Sequence, residues 1–579
     1  MNFKIKPKLY LQDTALPLMI DRGIIESADQ VLAHFEKLLE KLYFFDSEYS
    51  NDSIKFTSEF AEMLEDGVFS LGTPILSNLG KAGLPTASSC VIKLPQNGGT
   101  LLIEEFRKVS KETLNLGIGT GYDLSELNDP LRDLIKMNHV IHVINTELIK
   151  NKKRPVACMA TLRLDHPRIL EFISAKKNAD FSQWHFNIST FLNTSIFDLA
   201  SENKDLALID STNNKIRNIA AKELLLSIAE NAHYCGEPGI LFKDRFEFDN
   251  PLPQFPYLST APCAESAMSA GEMCQFSYIN VASLYKNNKF DWEKFARSIE
   301  LMTRFLDDII DGTIKYGKIN SHLVAGKRRI GVSICGFAEL LIKQEISYNS
   351  SESINLASQL AEFLLFFSKK TSQNLAKERG PFPLFASSRY TNKDWVDRKI
   401  SNAKFIHEKN WNELNGKIVK EGIRNASTVI HPPTGASSQI IGTSSSFEPY
   451  YSLLHGKTNS YTKKHIYSVI PEVKKSIVRN FKNPDDSNKI INEIEASEGV
   501  FSDIKKLPFL AIAKQIPYQQ HMLVQSAFQK FTDESSSKTV NLKNDATVIE
   551  VLDTIMLANE LNLKGLSVFR DGCLEERIS

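Results

Sequence analysis

The first seventy residues repeat apolar side chains at helical intervals. The stretch 27–44 places them three and four positions apart, at Val31, Leu32, Phe35, Leu38, Leu39 and Leu42. This spacing lines one face of a helix, and Ser27 in front of it suits an N-cap. The pattern predicts a helix over 27–44 and a helical region from residue 1 to residue 70.

After residue 70, short β-prone runs alternate with long helical segments. The β-prone runs are SCVIKL (89–94), ACMATLRL (157–164), GILF (239–242), RIGVSICG (329–336), STVIHP (427–432) and GLSVFR (565–570). Helices are predicted at 291–311 and 353–378, and the second stops at a Gly-Pro pair. This alternation indicates an α/β architecture, either a barrel or a wound sheet. We interpret 481–506 as a surface insertion and 533–538 as a loop.

Composition limits the classes of function. With 42% hydrophobic and 24% charged residues, the 579-residue chain resembles a soluble globular protein. Lys and Arg (69) balance Asp and Glu (69), so no overall charge favours nucleic acid or an anionic membrane. No apolar run approaches the roughly 20 residues that span a bilayer, and the N-terminus lacks the apolar core of a secretion signal. We expect a cytoplasmic protein without nucleic-acid or membrane partners.

The seven cysteines are odd in number and scattered along the chain, unlike the disulfide framework of a secreted protein. We therefore expect reduced thiols, and we interpret Cys158, Cys235 and Cys335 as buried small hydrophobes. The twelve histidines form no HExxH motif, and we expect no protein-bound metal.

Two polar stretches have the composition of ligand-contacting loops. The three glycines of LGIGTGYDL (116–124) fit either a tight packing turn or a nucleotide-contacting loop. HPPTGASSQIIGTSSSFEP (431–449) concentrates small residues and hydroxyls between a β-prone run and a helix start. Backbone amides and the helix N-terminus of such a loop can bind phosphate, so we favour anion binding over a Ser/Gly-rich linker.

The stretch STAPCAESAMSAGEMCQFSYIN (259–280) places Cys263 and Cys274 eleven positions apart, with Glu265 two positions after the first. In an extended segment, positions i and i+2 share a face, so the Cys263 thiol and the Glu265 carboxylate would address one bound molecule. A return strand would bring Cys274 to the same pocket. Such a set suits acid–base chemistry coupled to electron or hydrogen-atom transfer.

This stretch resembles the catalytic subunit of ribonucleotide reductases, most closely the adenosylcobalamin-dependent class II. That family surrounds its thiyl-radical cysteine with Asn-Pro-Cys-Gly-Glu, followed by Cys-Asn-Leu-Gly-Ser-Ile-Asn-Leu, where this chain has APCAE and CQFSYINVASL. Further motifs match in the same order: GTPILSNLG, TASSCVIKL, RPVACMATLRLDHPRILEFISAKK, FLDDIID, RRIGVSICGFAELL, PPTGASSQIIGTSSSFEP, SSSKTVNL and LKGLSVFRDG. Their number and order extend the resemblance along nearly the whole chain.

The resemblance implies a fold and a set of roles. The fold would be α/β, a ten-stranded α/β barrel over 71–579 with a central finger loop, preceded by the helical N-terminal region 1–70 without an ATP cone. Cys263 would be the thiyl radical that abstracts the ribose 3′-hydrogen, and Glu265 the base on the 3′-hydroxyl. Cys90 and Cys274 would be the reducing dithiol that ends as a disulfide. The substrate phosphates and sugar would be held by Thr73, Ser89, Ala261, Pro433, Thr434, Gly435, Ala436 and Ser437.

Adenosylcobalamin is the radical source that the resemblance implies. Iron- or manganese-dependent relatives pass the radical through a Tyr-Tyr pair near the C-terminal strand, where this chain has Phe569, a side chain without an O–H group. The glycine motif of the glycyl-radical class is missing. A ribonucleoside di- or triphosphate would be the substrate, an external thiol reductant such as thioredoxin or glutaredoxin the partner, and a homodimer one possible assembly.

Three features depart from the family pattern. Ala261 stands where the family has asparagine, and losing one such amide contact costs about 1–3 kcal/mol. Cys573 lies near the end of the sequence without the second cysteine of the usual C-terminal pair, and LPQNGGTLLIEEF (94–106) differs from the allosteric specificity motif. Two alternatives follow: a paralogue with a different radical reaction on a nucleotide, and a non-catalytic nucleotide-binding partner of a reductase.

Overall fold

The computed structural model describes residues 3–4, 9, 11–12, 14–81, 84–177, 183–316, 321–458, 465–481 and 483–573. Its α-helices are α1 (Ala15–Asp21), α2 (Val31–Asp46), α3 (Ser53–Glu65), α4 (Thr73–Asn78), α5 (Ile103–Leu114), α6 (Pro130–Lys150), α7 (Ile169–Ile173), α8 (Ser195–Ser201), α9 (Ala221–Cys235), α10 (Lys243–Asp249), α11 (Trp292–Tyr316), α12 (Ser321–Lys327), α13 (Phe337–Gln344), α14 (Ser351–Arg379), α15 (Lys393–Asp397), α16 (Glu408–Glu421), α17 (Gly435–Ile441), α18 (Pro471–Asn480), α19 (Pro484–Ala496), α20 (Tyr518–Gln529) and α21 (Val548–Glu560).

The strands are mostly short. They are β1 (Phe69–Leu71), β2 (Ser89–Val91), β3 (Gln96–Asn97), β4 (Thr100–Leu101), β5 (Gly119–Asp123), β6 (Cys158–Arg163), β7 (Phe186–Leu192), β8 (Asp205–Ile209), β9 (Lys215–Ala220), β10 (Gly239–Phe242), β11 (Ser259–Thr260), β12 (Ala267–Met268), β13 (Met273–Cys274), β14 (Phe276–Asn280), β15 (Tyr285–Lys286), β16 (Lys289–Phe290), β17 (Gly331–Cys335), β18 (Leu454–Thr458), β19 (His465–Val469), β20 (Thr539–Leu542) and β21 (Gly565–Arg570).

The helices predicted from apolar periodicity are present. The one over 27–44 is α2, which follows a 3-10 turn with Ser27 as its N-cap. The other two are α11 and α14, and α14 ends one residue before Gly380. The apolar face of α2 packs against α11 in one buried core with the small sheet described below, because burial of that face is what stabilises an amphipathic helix.

Two sheets carry the predicted α/β class, which is confirmed. The larger has eight strands in the order β13-β2-β5-β6-β7-β10-β21-β20, and the smaller has three in the order β1-β14-β17. From β2 to β10 all neighbours are parallel, whereas β13–β2 and β10–β21 are antiparallel. In the part of the chain that the structure describes, these ladders form two sheets, and no single closed ten-stranded barrel is recorded.

The hairpin β11–β12 packs against β5, and two glycines permit the contact. A Cβ atom on Gly121 would lie 2.0 Å from the carbonyl oxygen of Thr260, and one on Gly119 would lie 2.8 Å from Cγ of Pro262. Any side chain there would therefore displace the hairpin. Of the two interpretations of LGIGTGYDL, close packing is the one found, and it occurs along a strand.

Three other segments differ in secondary structure or in burial from what the sequence predicts. STVIHP forms only two isolated bridges, Val332 to Val429 and His431 to Ser536. The polar stretch 481–506 contains α19 and contributes to a separate small hydrophobic cluster. The segment 533–538 is a loop as predicted, but all of its residues except Ser537 are buried. Of the described helices, none is long and apolar enough to cross a membrane.

Candidate active site

Cys263 and Glu265 lie at the tip of the hairpin formed by β11 and β12. The six residues between the strands, 261–266, form the finger loop, which is closed by a 2.8 Å hydrogen bond from the Ala261 N–H to the carbonyl of Ser266. The loop is a turn, so the expectation of an extended segment is wrong, whereas the expectation that the two side chains address one bound molecule stays a prediction. Cys263 is exposed whereas Glu265 is buried.

Ala264 forces this change of direction. Its φ is +63°, in the left-handed region that favours glycine, and its N–H donates to the Ala261 carbonyl at 2.9 Å. The related family has glycine at this position of its signature. The finger loop of this chain therefore holds a strained alanine directly between its thiol and its carboxylate.

Ala264→Gly is expected to raise the free energy of unfolding by about 0.5–1 kcal/mol, because relief of left-handed strain outweighs the added flexibility of the unfolded chain. Chemical denaturation measures this change. Ala403→Gly is the matched control, since Ala403 has φ −67° and glycine there only adds flexibility. Equal destabilisation by both substitutions would contradict the assignment of strain.

Glu265 is a buried carboxyl group with an unused oxygen. It is 3% exposed, and its Oε2 has no hydrogen-bond partner among the described residues. Burial raises the pKa of Glu265 to about 7. A buried polar atom without a partner is rare in a folded protein, and a carboxyl group that titrates near neutral pH suits proton transfer. Both properties point to a ligand that meets Glu265.

The three cysteines of interest are protonated thiols at neutral pH. The surrounding protein and the charge of Glu265 raise the pKa of Cys263 to about 12, although its thiol is accessible. Burial raises the pKa of Cys274 to about 12, and that of Cys90 is raised as well, chiefly by burial. Nucleophilic cysteines have lowered pKa values, so this set suits hydrogen-atom and electron transfer better than thiolate attack.

Cys90 and Cys274 lie on neighbouring antiparallel strands, although 184 positions separate them in the sequence. In the β2–β13 ladder Cys274 faces Ser89, and Cys90 faces Met273, so the two cysteines occupy adjacent rungs and project from opposite faces of the ladder. The Ser89 hydroxyl contacts the Cys274 sulfur at 2.9 Å, and both cysteines are free thiols. Ser89, which we expected at the substrate, thus lies directly beside the second thiol.

The 433–437 loop lies next to the small sheet and opens α17. Pro433 and Gly435 are exposed and Ala436 is half-buried, whereas Thr434 and Ser437 are buried. The Thr73 hydroxyl lies 3.5 Å from that of Ser437. The structure therefore brings Thr73 together with this loop. Ala261, the remaining predicted substrate residue, is fully buried at the base of the finger loop.

A buried ion network supports the base of the finger loop. Glu272 accepts from Lys327 at 2.8 Å and from Arg329 at 2.7 Å, and these cations lower its pKa to about 2. Arg329 also donates to the Ser266 hydroxyl at 3.2 Å and pairs with Glu534. Breaking such a network costs several kcal/mol, so it holds the loop in place.

Sequence reasoning missed three residues of the site. Arg154, in the RPVA stretch, lies close enough to Cys263 to favour its thiolate form. Ser535 donates its N–H to the Glu265 carbonyl, and its buried hydroxyl lacks a partner in the described chain. Tyr278 lies within electrostatic range of Glu265 and Cys263. Each of these residues lies inside a motif that resembles the family, and this was the only sequence feature that could have identified it. Their contacts with the site could not be predicted, because the residues that they contact lie in distant segments of the chain.

The described part of the chain contains no group of three or more His, Cys, Asp or Glu side chains that could hold a metal ion.

Comparison with known proteins identifies relatives. A vitamin B12-dependent ribonucleoside-diphosphate reductase of Thermoplasma acidophilum is 29% identical over 535 residues, covering 89% of this chain and 65% of the relative. One of Mycobacterium tuberculosis is 28% identical over 549 residues, covering 91% and 73%.

A vitamin B12-dependent ribonucleotide reductase of Streptomyces avermitilis is 22% identical, covering 94% of this chain and 62% of the relative. The chain thus spans between 62% and 73% of the lengths of these curated relatives. The family model described as the ribonucleotide reductase barrel domain matches residues 88–569. Because that match covers most of the sequence, the chain belongs to the ribonucleotide reductase family.

Proposed function

We propose that this chain is an adenosylcobalamin-dependent ribonucleotide reductase that converts ribonucleoside diphosphates to 2′-deoxyribonucleoside diphosphates. One observation carries the proposal: the exposed Cys263 and the buried Glu265, whose Oε2 has no hydrogen-bond partner among the described residues, share the tip of one finger loop. The names of the Thermoplasma and Mycobacterium relatives favour diphosphates over triphosphates.

We further propose that the two sheets form one ten-stranded barrel around the finger loop, in which β13 and β14 count as one interrupted strand. A single residue, Gln275, separates β13 of the large sheet from β14 of the small one. On the other side, the bridges Val332 to Val429 and His431 to Ser536 lead from β17 toward β20. The helices before residue 70 would form the N-terminal region of the same unit.

The reaction would begin at Cys263. Its sulfur-centred radical takes the ribose 3′-hydrogen, which restores the thiol and leaves a radical on the 3′-carbon, while ionised Glu265 accepts the 3′-hydroxyl proton. The 2′-hydroxyl leaves as water with a proton from the Cys90–Cys274 dithiol. The dithiol then gives its second hydrogen, as a hydrogen atom, to the 2′-carbon and one electron to the 3′-ketone, and becomes a disulfide. Glu265 returns its proton to the 3′-oxygen, and Cys263 returns its hydrogen to the 3′-carbon, which regenerates the sulfur-centred radical.

The site fits the cofactor that the relatives' names indicate. When bound, adenosylcobalamin would supply the radical chemistry that converts the Cys263 thiol to its sulfur-centred radical. Cys263 is exposed and Ala264 half-buried, so both would face the cofactor, with Arg154 beside them. On β21, Phe569 offers no O–H group for a tyrosyl relay from another subunit.

Further partners belong to the same proposal. An external dithiol protein such as thioredoxin or glutaredoxin would reduce the disulfide, and the free thiols fit a cytoplasmic enzyme. We also propose a homodimer, and the exposed apolar side chains on α6, namely Ile135, Val143 and Ile149, are positions at which its interface can be tested by substitution.

Turnover of the purified chain tests the function. With adenosylcobalamin, a small dithiol and each ribonucleoside diphosphate, we expect a 2′-deoxyribonucleoside diphosphate as product, and no product when the cofactor is left out. Triphosphates in parallel reactions test the substrate class. A nucleotide product other than the 2′-deoxy compound would favour the paralogue, and nucleotide binding without turnover would favour the non-catalytic partner.

A further inference from the structure

Three side-chain hydroxyls form a row across the small sheet. Ser70 on β1 faces Tyr278 on β14, and Tyr278 faces Ser333 on β17. Residues in register on neighbouring strands project from the same face of a sheet. The hydroxyl row (Ser70, Tyr278 and Ser333) is at most 2% exposed, so its hydroxyls are directed at protein rather than at solvent.

All three hydroxyls bind one stretch of chain. The Ser70 hydroxyl donates to the carbonyl of Ser437, and the Tyr278 hydroxyl donates to the carbonyl of Pro433, each at 2.9 Å. The Ser333 hydroxyl is hydrogen-bonded to Nδ1 of His431 at 3.2 Å. The hydroxyl row therefore holds the 433–437 loop at both of its ends and just before it.

Tyr278 also adjoins the reacting groups. Burial and the nearby charge of Glu265 raise the pKa of its phenol well above the ordinary value, so the phenol stays protonated as a donor. At this position the family signature has serine, whose side chain is shorter by an aromatic ring. In this chain the longer side chain joins the neighbourhood of Cys263 to the 433–437 loop.

We propose that Tyr278 is a positioning residue that sets the spacing between the 433–437 loop and the Cys263–Glu265 pair, and thereby the recognition of the diphosphate part of the substrate. This inference rests on the proposed function, in which that loop receives the phosphates. Removing the hydroxyl should loosen the loop at Pro433 and leave the rest of the site in place.

Binding of two probes to Tyr278→Phe tests the proposal. Cytidine diphosphate and cytidine share base and sugar and differ only in the diphosphate. We expect the Kd of cytidine diphosphate to rise about 10-fold, from loss of one buried hydrogen bond, and the Kd of cytidine to change by less than about 2-fold. Isothermal titration of the full chain measures both, without turnover.

Tyr122→Phe is the matched control, because the buried Tyr122 phenol is also hydrogen-bonded, to the Ser110 hydroxyl at 3.0 Å, outside the 433–437 loop and its neighbours. It should leave both Kd values unchanged. Ser70→Ala removes another hydroxyl of the hydroxyl row and should also raise the Kd of cytidine diphosphate without changing that of cytidine. It provides a second test if Tyr278→Phe folds poorly. Equal weakening of both probes, or no change in either, would overturn the positioning role. Failure of the unmodified chain to bind cytidine diphosphate would instead overturn the proposed function itself.

Discussion

Cys263→Ala is expected to abolish deoxyribonucleotide formation, lowering kcat at least about 10,000-fold, as removal of an essential catalytic group does. Alanine has no S–H bond, so no radical can form at the finger loop and the 3′-hydrogen stays in place. Nucleotide binding should persist, because the 433–437 loop and Thr73 are untouched. Product analysis gives the turnover, and electron paramagnetic resonance should lose the thiyl signal.

Cys263→Ala should change the free energy of unfolding only slightly. Cys263 is exposed, and surface substitutions usually change stability by no more than about 0.5 kcal/mol. Cys235→Ala is the matched control: Cys235 is buried at the end of α9, outside the proposed site, and this variant should retain turnover within about 2-fold. Equal loss of activity in both variants, or residual turnover in Cys263→Ala, would remove Cys263 from the reaction.

Glu265→Gln is expected to lower kcat/KM about 100- to 10,000-fold, the usual contribution of a general base. Glutamine keeps the shape of the side chain but cannot accept the 3′-hydroxyl proton. In the unmodified enzyme, kcat/KM should depend on pH, because only the ionised form of Glu265 can accept the proton. Because the pKa of Glu265 is about 7, its kcat/KM should fall as the pH drops below 7 and the carboxylate becomes protonated.

The free energy of unfolding of the unmodified chain should fall as the pH rises, whereas its kcat/KM should increase. The pKa of Glu265 is about 4.5 in the unfolded chain and about 7 in the folded protein, so between these values the folded state binds more protons. The free energy of unfolding therefore falls as the pH rises from 4.5 to 7, by about 3 kcal/mol from this group. Above pH 7 the folded state retains the full cost of a buried charge.

Glutamine carries no such charge, so Glu265→Gln should gain stability relative to the unmodified chain between pH 5 and pH 8, by about 2–3 kcal/mol. Denaturant titrations of both proteins at the two pH values measure the difference, in which all other ionisable groups cancel. A pH-independent difference would show that Glu265 titrates normally in the folded protein, and the role of a base with a raised pKa would then be abandoned.

The local elements followed from periodicity. Apolar spacing predicted α2, α11 and α14, since a helix that must bury one face records that face in its sequence. β-prone runs predicted β6, β10, β17 and β21 for the same reason, but STVIHP did not become a strand. Its apolar residues are buried all the same, and burial alone does not supply a regular ladder of backbone hydrogen bonds.

The motifs indicated the chemistry, because Cys263, Glu265 and Cys274 lie within twelve positions and match a family signature. Their geometry was less accessible. The expected extended segment is a turn because Ala264 adopts a left-handed conformation, which a sequence pattern does not reveal. The glycines at 119 and 121 were equally ambiguous, since their function depends on a hairpin some 140 positions away.

The sequence by itself determined the α/β class, the long helices and the family, and through the family it suggested the thiols and the carboxylate that we propose for the reaction. Tertiary structure decided which side chains meet them: Ser89 at the second thiol, Ser535 at the Glu265 backbone, and Tyr278 between the finger loop and the 433–437 loop. The physical reason is the distance along the chain between the residues that interact. Periodicity and short motifs express interactions between near neighbours in the chain, whereas a pKa near 7 or a row of three hydroxyls arises only where distant strands come into register.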